Sequence, residues 1–156
     1  MKRGLALGLV AAQFVLLGVL VVLPHGERWS VNAGVLTVAI ALGLLGAALA
    51  VLGVRGLGPA LTASPIPREN TPLVTSGVYG LVRSPIYTGL MTGGFALALV
   101  GASVGHVVAW GALIVLLSTK TRWEERMLLA EHPDYATYGA HVGRFLPGFG
   151  RLRPRA

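Results

Sequence analysis

The chain has 156 residues, 54% of them hydrophobic and 12% charged, with a formal net charge of +7 and no cysteine. Soluble domains carry roughly 25% charged residues, so this composition points to a single-domain integral membrane protein. Without cysteine there are no disulfides, thiolate metal sites or cysteine nucleophiles, and the basic residues form neither a base-reading helix nor an aromatic stacking ladder, which argues against a nucleic-acid partner.

Taken in order, Lys2 and Arg3 precede an apolar run from Gly4 to Leu23 in which Gln13 is the strongly polar residue. These 20 residues suffice to span a bilayer core of roughly 30 Å. The run is longer than the 7–15 residues usual in a signal peptide, which predicts a retained transmembrane helix. A short polar loop, 24–32, carries Trp29 as an interface anchor. Residues 33–53 form a second span, and its glycines and alanines allow close helix approach.

Residues 54–85 contain Pro59, Pro65, Pro67 and Pro72, with charges at Arg55, Arg68, Glu69 and Arg83. Repeated prolines forbid a continuous helix, so this is a loop on one side of the membrane. Residues 86–118 are again apolar, and Gly101–Gly105 is a natural turn, predicting a hairpin of two short helices with an interface histidine, His106, beside the turn. Residues 119–156 form a C-terminal region. There Lys120–Glu131 continues the last helix out of the membrane, Pro133 ends it, Tyr135 and Tyr138 share a face, and a basic tail follows with Arg144, Arg151, Arg153 and Arg155. The expected architecture is all-α and integral to the membrane, with about four transmembrane helices and a cytoplasmic C-terminal helical region that binds a cofactor.

With four crossings, both termini and the middle loop share one side. That side holds 12 of the 13 Lys and Arg, the other only Arg28. The positive-inside rule makes the rich side cytoplasmic. It brings together two polar patches, one around Arg83 and one around Glu124 and Glu125. Arg83 stands three residues before an apolar run, where a charge must be solvated, paired or bound. Pro85 suits the first turn of a helix, and Tyr79 and Tyr87 suit interface depth. Along the last helix Arg122 and Glu125 are three apart and share a face; this is either a salt-bridged helix end or the wall of a site for a zwitterionic ligand. The histidines show no HExxH spacing, no GxSxG is present, and no charge lies midway along a span, so a catalytic metal, a serine nucleophile and an ion pathway are not indicated.

Gly77, Tyr79, Val82, Arg83, Ser84, Pro85, Tyr87 and Gly89, then Glu124 and Glu125, then Tyr135 and Tyr138, then Arg144 with Pro147, follow one another in an order and spacing that resembles the isoprenylcysteine carboxyl methyltransferase and phospholipid methyltransferase family of integral membrane enzymes. The resemblance covers about residues 73–147. It departs at Ser84, where the family pattern has histidine.

The resemblance implies S-adenosylmethionine as methyl donor, with S-adenosylhomocysteine as product. It implies a cofactor site drawn from Tyr79, Val82, Arg83, Ser84, Pro85, Tyr87, Gly89, Glu124, Glu125, Tyr135 and Tyr138. Arg83 would pair the donor's carboxylate, a glutamate its ammonium or ribose hydroxyls, and Tyr87 and Tyr135 its adenine or cationic sulfur. Glu125 and Arg144 would serve catalysis, Arg144 by orienting an acceptor carboxylate. The acceptor would be a lipophilic small molecule or lipid reached from the bilayer of a bacterial inner membrane, with both termini cytoplasmic. Carboxyl, amine and sulfur acceptors all stay open. Two other classes do too: a non-enzymatic membrane protein binding anionic lipid or a partner, and a membrane reductase using a nicotinamide cofactor.

Overall fold

The computed structural model describes residues 2–58, 61 and 72–152, and these form five helices. Pro59, Pro65, Pro67, Arg68 and Glu69 of the middle loop, and Arg153 and Arg155 of the tail, lie outside the described residues. Helix α1 (Lys2–Val22) ends just before Pro24, and α2 (Ala33–Leu57) is capped by Asn32, whose side chain accepts from the Val35 N–H at 3.0 Å. A 3-10 turn (Gly77–Gly80) leads to α3 (Pro85–Gly101), with Pro85 in its first turn. Ala102 adopts a left-handed conformation (φ 44°), and Ser103 then caps α4 (Val104–Glu131) by accepting from the His106 N–H at 3.2 Å. A short α5 (Tyr135–His141) follows Pro133.

Helices α1, α2 and α4 are long and apolar enough to cross a membrane. Their outer faces leave Leu7, Phe14, Ile40, Leu44 and Val115 more than half exposed, an arrangement suited to lipid rather than water. The turn falls inside Gly101–Gly105 as the glycines predict, but the hairpin is asymmetric. Helix α3 has 17 residues, whereas α4 runs unbroken for 28, about 42 Å at 1.5 Å per residue.

Two contacts build the bundle. Leu20, Ala109, Leu113 and Leu117 form a buried cluster between α1 and α4, joined by Tyr87, Leu90 and Met91 of α3. Helices α2 and α3 meet along small residues: a Cβ on Gly46 would lie 2.6 Å from the carbonyl oxygen of Gly89, and one on Gly89 would lie 2.8 Å from the Ala50 nitrogen. At the turn end, the α1–α2 loop is bonded to the α3–α4 turn. Gly26 N donates to Gly101 O at 2.8 Å, Arg28 N to Ala102 O at 2.9 Å, and the Trp29 indole to Leu99 O at 2.8 Å. The expected interface histidine, His106, is instead buried, its ring nitrogen 2.7 Å from the Ser103 hydroxyl. A ring this close to the turn is held by the cap that starts α4.

Candidate functional site

At the opposite end of the bundle, the segment before α3 and the segment after α5 run side by side. Val82 and Gly143 form a parallel bridge; Arg83 N donates to Gly143 O at 2.8 Å and Ser84 N to Arg144 O at 3.1 Å. This pairing aims Arg83 and Arg144 at Glu125 near the end of α4.

The Arg83 side chain is wholly buried. A guanidinium has five N–H donors, and here each is engaged. Nε and Nη2 reach Glu125 Oε1 at 3.0 and 2.6 Å, Nη1 reaches Gly139 O at 2.9 Å and also Val142 O, and Nη2 reaches Gly150 O at 3.0 Å. Arg144 holds the other side of the carboxylate: Nε and Nη2 lie 3.0 and 2.6 Å from Glu125 Oε2. Glu125 therefore pairs across the bundle with Arg83 and Arg144. It does not pair along its own helix with Arg122, which is exposed. The donor carboxylate expected opposite Arg83 is replaced in this arrangement by Glu125 and three backbone carbonyls. The donor ammonium expected opposite Glu125 is replaced by two guanidinium groups.

The neighbouring glutamate is placed differently. Glu124 Oε1 accepts from the Tyr87 hydroxyl at 2.6 Å. One turn back on α4, Lys120 is buried, its ammonium donating to Gln13 of α1 at 2.9 Å and standing 5.0 Å from the centre of the Tyr87 ring. Gln13 and Lys120 carry a polar contact into the bundle that the apolar pattern did not reveal. The available signal was Gln13 itself, the polar residue of an otherwise apolar span.

The remaining motif residues mostly hold the scaffold. Pro85 and Gly89 are buried against α2, at Gly53 and Gly46. Tyr79 donates to Gly53 O at 3.2 Å and accepts at its own carbonyl from Tyr138 at 2.5 Å. Val82 is buried at the bridge, and Ser84 is half-buried with no capping bond from its side chain. Tyr135 is buried edge-on to Tyr138, ring centres 5.8 Å apart. Burial pushes the Tyr79 and Tyr135 phenols well above their ordinary value and that of Tyr138 up to about 12.

The Arg144 side chain is 21% exposed. It borders a shallow cavity of about 160 Å³ lined also by Phe145, Leu146, Phe149 and Gly150. Small-molecule sites usually measure roughly 300–1,000 Å³, and this cavity is smaller. The donor set suits S-adenosylmethionine in chemistry. There is a carboxylate tied to a phenol (Glu124 with Tyr87), an arginine with one edge beyond its Glu125 contact (Arg144), and the aromatic rings of Tyr87 and Tyr135. Among the described residues no group of three His, Cys, Asp or Glu side chains is placed to hold a metal ion.

The chain is 32% identical over 128 residues to the cobalt-zinc-cadmium resistance protein CzcN of Cupriavidus metallidurans, covering 81% of this chain and 57% of that protein. It thus spans little more than half the length of this curated relative. No solved structure matches it. The family model for phospholipid methyltransferases matches residues 34–134, a stretch that contains all of α2 but its first residue, α3, α4, the Arg83–Tyr87 segment, and Glu124 and Glu125. With that match over more than half of its length, and with the two polar segments of the match meeting at one end of an apolar bundle, the chain belongs to the phospholipid methyltransferase family.

Proposed function

We propose that the protein transfers a methyl group from S-adenosylmethionine to a lipophilic acceptor at the cytoplasmic face of a bacterial inner membrane, most like isoprenylcysteine carboxyl O-methylation. Amine N-methylation of a phospholipid and thiol S-methylation are the alternatives. The observation that carries the reading is the convergence of the Arg83–Tyr87 and Glu124–Glu125 segments, both inside the family match, at one end of the helices. In this reading α3 is the fourth crossing, at 17 residues about 26 Å long. Both termini are cytoplasmic, on the side that holds 12 of the 13 Lys and Arg.

S-adenosylmethionine, when bound, supplies an electrophilic methyl group on a sulfonium. The chain's own groups divide the remaining work. Arg83 and Glu125 are positioning residues that fix the C-terminal segment. Glu124 and Tyr87 hold the cofactor's polar groups, with the rings of Tyr87 and Tyr135 beside its adenine or sulfur. Arg144 turns its outer guanidinium edge toward the carboxylate of the cofactor or the acceptor. A carboxylate or thiolate acceptor needs alignment and exclusion of water rather than a base. For an amine acceptor Glu124 is the candidate base, because both oxygens of Glu125 already receive arginine N–H groups.

The test is calorimetric titration of the purified protein in lipid nanodiscs with S-adenosylhomocysteine and, separately, with NADPH. Saturable binding of the first alone, weakened at least tenfold by Glu124→Gln, supports the reading. Binding of NADPH alone transfers the protein to the reductase class, and binding of neither leaves a lipid- or partner-binding role.

A further inference from the structure

The segment after α5 has its polar groups turned inward and its apolar groups turned outward. Arg144 N donates to Phe149 O at 2.8 Å and Phe149 N to Leu146 O at 3.1 Å, closing the loop on itself. Gly148 and Gly150 permit the closure with φ of 79° and 69°. Gly150 O is taken by Arg83 and Phe145 O by the Thr88 hydroxyl. Outside, Leu146 is 59% and Phe149 73% exposed. Leu81, 58% exposed, stands one residue before the Val82–Gly143 bridge.

The depth of this loop is set by α3. Ser84, just before the helix, bonds the Arg144 carbonyl at 3.1 Å; Thr88, one turn in, bonds the Phe145 carbonyl at 3.1 Å. The loop therefore descends beside the first turn of α3, about 6 Å from Ser84 to Thr88 along the axis. Below Thr88 that helix is apolar to Gly101 except for Thr92, whose hydroxyl bonds back to the Thr88 carbonyl at 2.8 Å. Irregular backbone near the membrane is favoured when its polar groups are satisfied within the protein, and the bonds above do this for the carbonyls of Arg144, Phe145, Leu146, Phe149 and Gly150 and the N–H groups of Arg144 and Phe149. Arg144 and the exposed Arg151 flank the apolar side chains, on a chain of net charge +7.

We propose that Arg144–Gly150 is an interfacial anchor. Leu146 and Phe149 insert at the boundary between headgroups and acyl chains of an anionic bilayer, and Arg151 faces its phosphates. The occupant of the exposed apolar patch is lipid. The shallow cavity behind Leu146 and Phe149 then opens toward the bilayer rather than toward water. This inference does not depend on methyl transfer.

The absence of cysteine allows single-site labelling of the full chain. Phe149→Cys and, independently, Leu146→Cys are labelled with an environment-sensitive nitrobenzoxadiazole dye. Each is reconstituted in phosphatidylcholine–phosphatidylglycerol nanodiscs carrying lipids spin-labelled near the headgroup. Ala136→Cys on the exposed face of α5 is the aqueous reference. The expected result is a blue-shifted emission at 149 and 146, quenched by the shallow spin label about threefold more than at 136 and shielded from aqueous iodide. Iodide access equal to that at 136 overturns the proposal. So does protection from both quenchers, which means that protein, a second copy or another part of this chain, covers the patch. Because two separate substitutions are read, a folding defect in one leaves the other decisive.

Discussion

Arg83 and Glu125, 42 residues apart in sequence, meet through Nη2 and Oε1 at 2.6 Å, and the same carboxylate takes Arg144 on its other oxygen at 2.6 Å. One acidic side chain thus joins the entry of α3, the end of α4 and the segment beyond α5. A buried carboxylate between two guanidinium groups is stabilising only as a set. Removing one partner leaves charge without compensation in a largely buried site.

Glu125→Ala is therefore expected to lower stability by about 3–5 kcal/mol, with Glu125→Gln intermediate because the amide oxygen still accepts one of the bonds. Thermal unfolding in detergent checks this. Unchanged midpoints for both variants would show that the carboxylate does not organise this end of the molecule.

Arg83→Lys keeps the charge and discards the fork. An ammonium has three donors and cannot reach Glu125, Gly139, Val142 and Gly150 together. The expected outcome is release of the C-terminal segment without loss of the helices. Limited trypsin digestion should cut after Arg144 and Arg151 at least roughly tenfold faster than in the parent, while circular dichroism stays the same. Parent-like digestion would contradict the assignment of Arg83 as the segment's tether.

The α2–α3 contact predicts a matched pair. Gly89→Ala places a methyl 2.8 Å from the Ala50 nitrogen and forces the helices apart; overpacking of this kind costs about 1–3 kcal/mol. Gly43→Ala, on the same helix as Gly46, meets nothing within 4 Å and gains helix propensity. Unfolding midpoints should fall for the first and hold or rise for the second. Equal effects would mean that this close approach is not present in the membrane.

Tyr138 gives a dependence on pH. Its phenol, half-buried and bonded to the Tyr79 carbonyl, is pushed up from 10.0 to about 12 by desolvation. A group raised in the folded state gives its full contribution below the unfolded value. That contribution is lost as pH climbs through the folded one. The parent should lose stability between pH 10 and about 12 relative to Tyr138→Phe, which has no hydroxyl to ionise. Chemical unfolding at stepped pH reads the difference; parallel curves would place Tyr138 in water.

Much of this was legible in the sequence, for stated reasons. Apolar runs revealed α1, α2 and the hairpin because each must present a near-continuous apolar surface. Gly101–Gly105 marked the turn because Ala102 there leaves the helical conformation, and Pro133 marked the end of α4. The pairing of side chains was less legible. Spacing along a helix offered Arg122 as the partner of Glu125, since it exposes only neighbours three and four residues away. The actual partners come from two other segments. The burial of Lys120 was hidden for the same reason, its partner Gln13 lying 107 residues earlier. That Arg83 binds backbone carbonyls could not be read from residue types at all, because every residue carries one.

The two ends of the bundle are held by different sets of bonds. At the turn end the first loop and the α3–α4 turn are joined main chain to main chain at Gly26 and Arg28, bonds that use no side-chain atom, and by the side chain of Trp29. At the other end the main-chain pairing of Val82–Ser84 with Gly143–Arg144 is supplemented by side chains converging on a single carboxylate, Glu125. Both oxygens of Glu125 take arginine N–H groups, so this one carboxylate sets how firmly the segments bordering the small cavity beside Arg144 are held together.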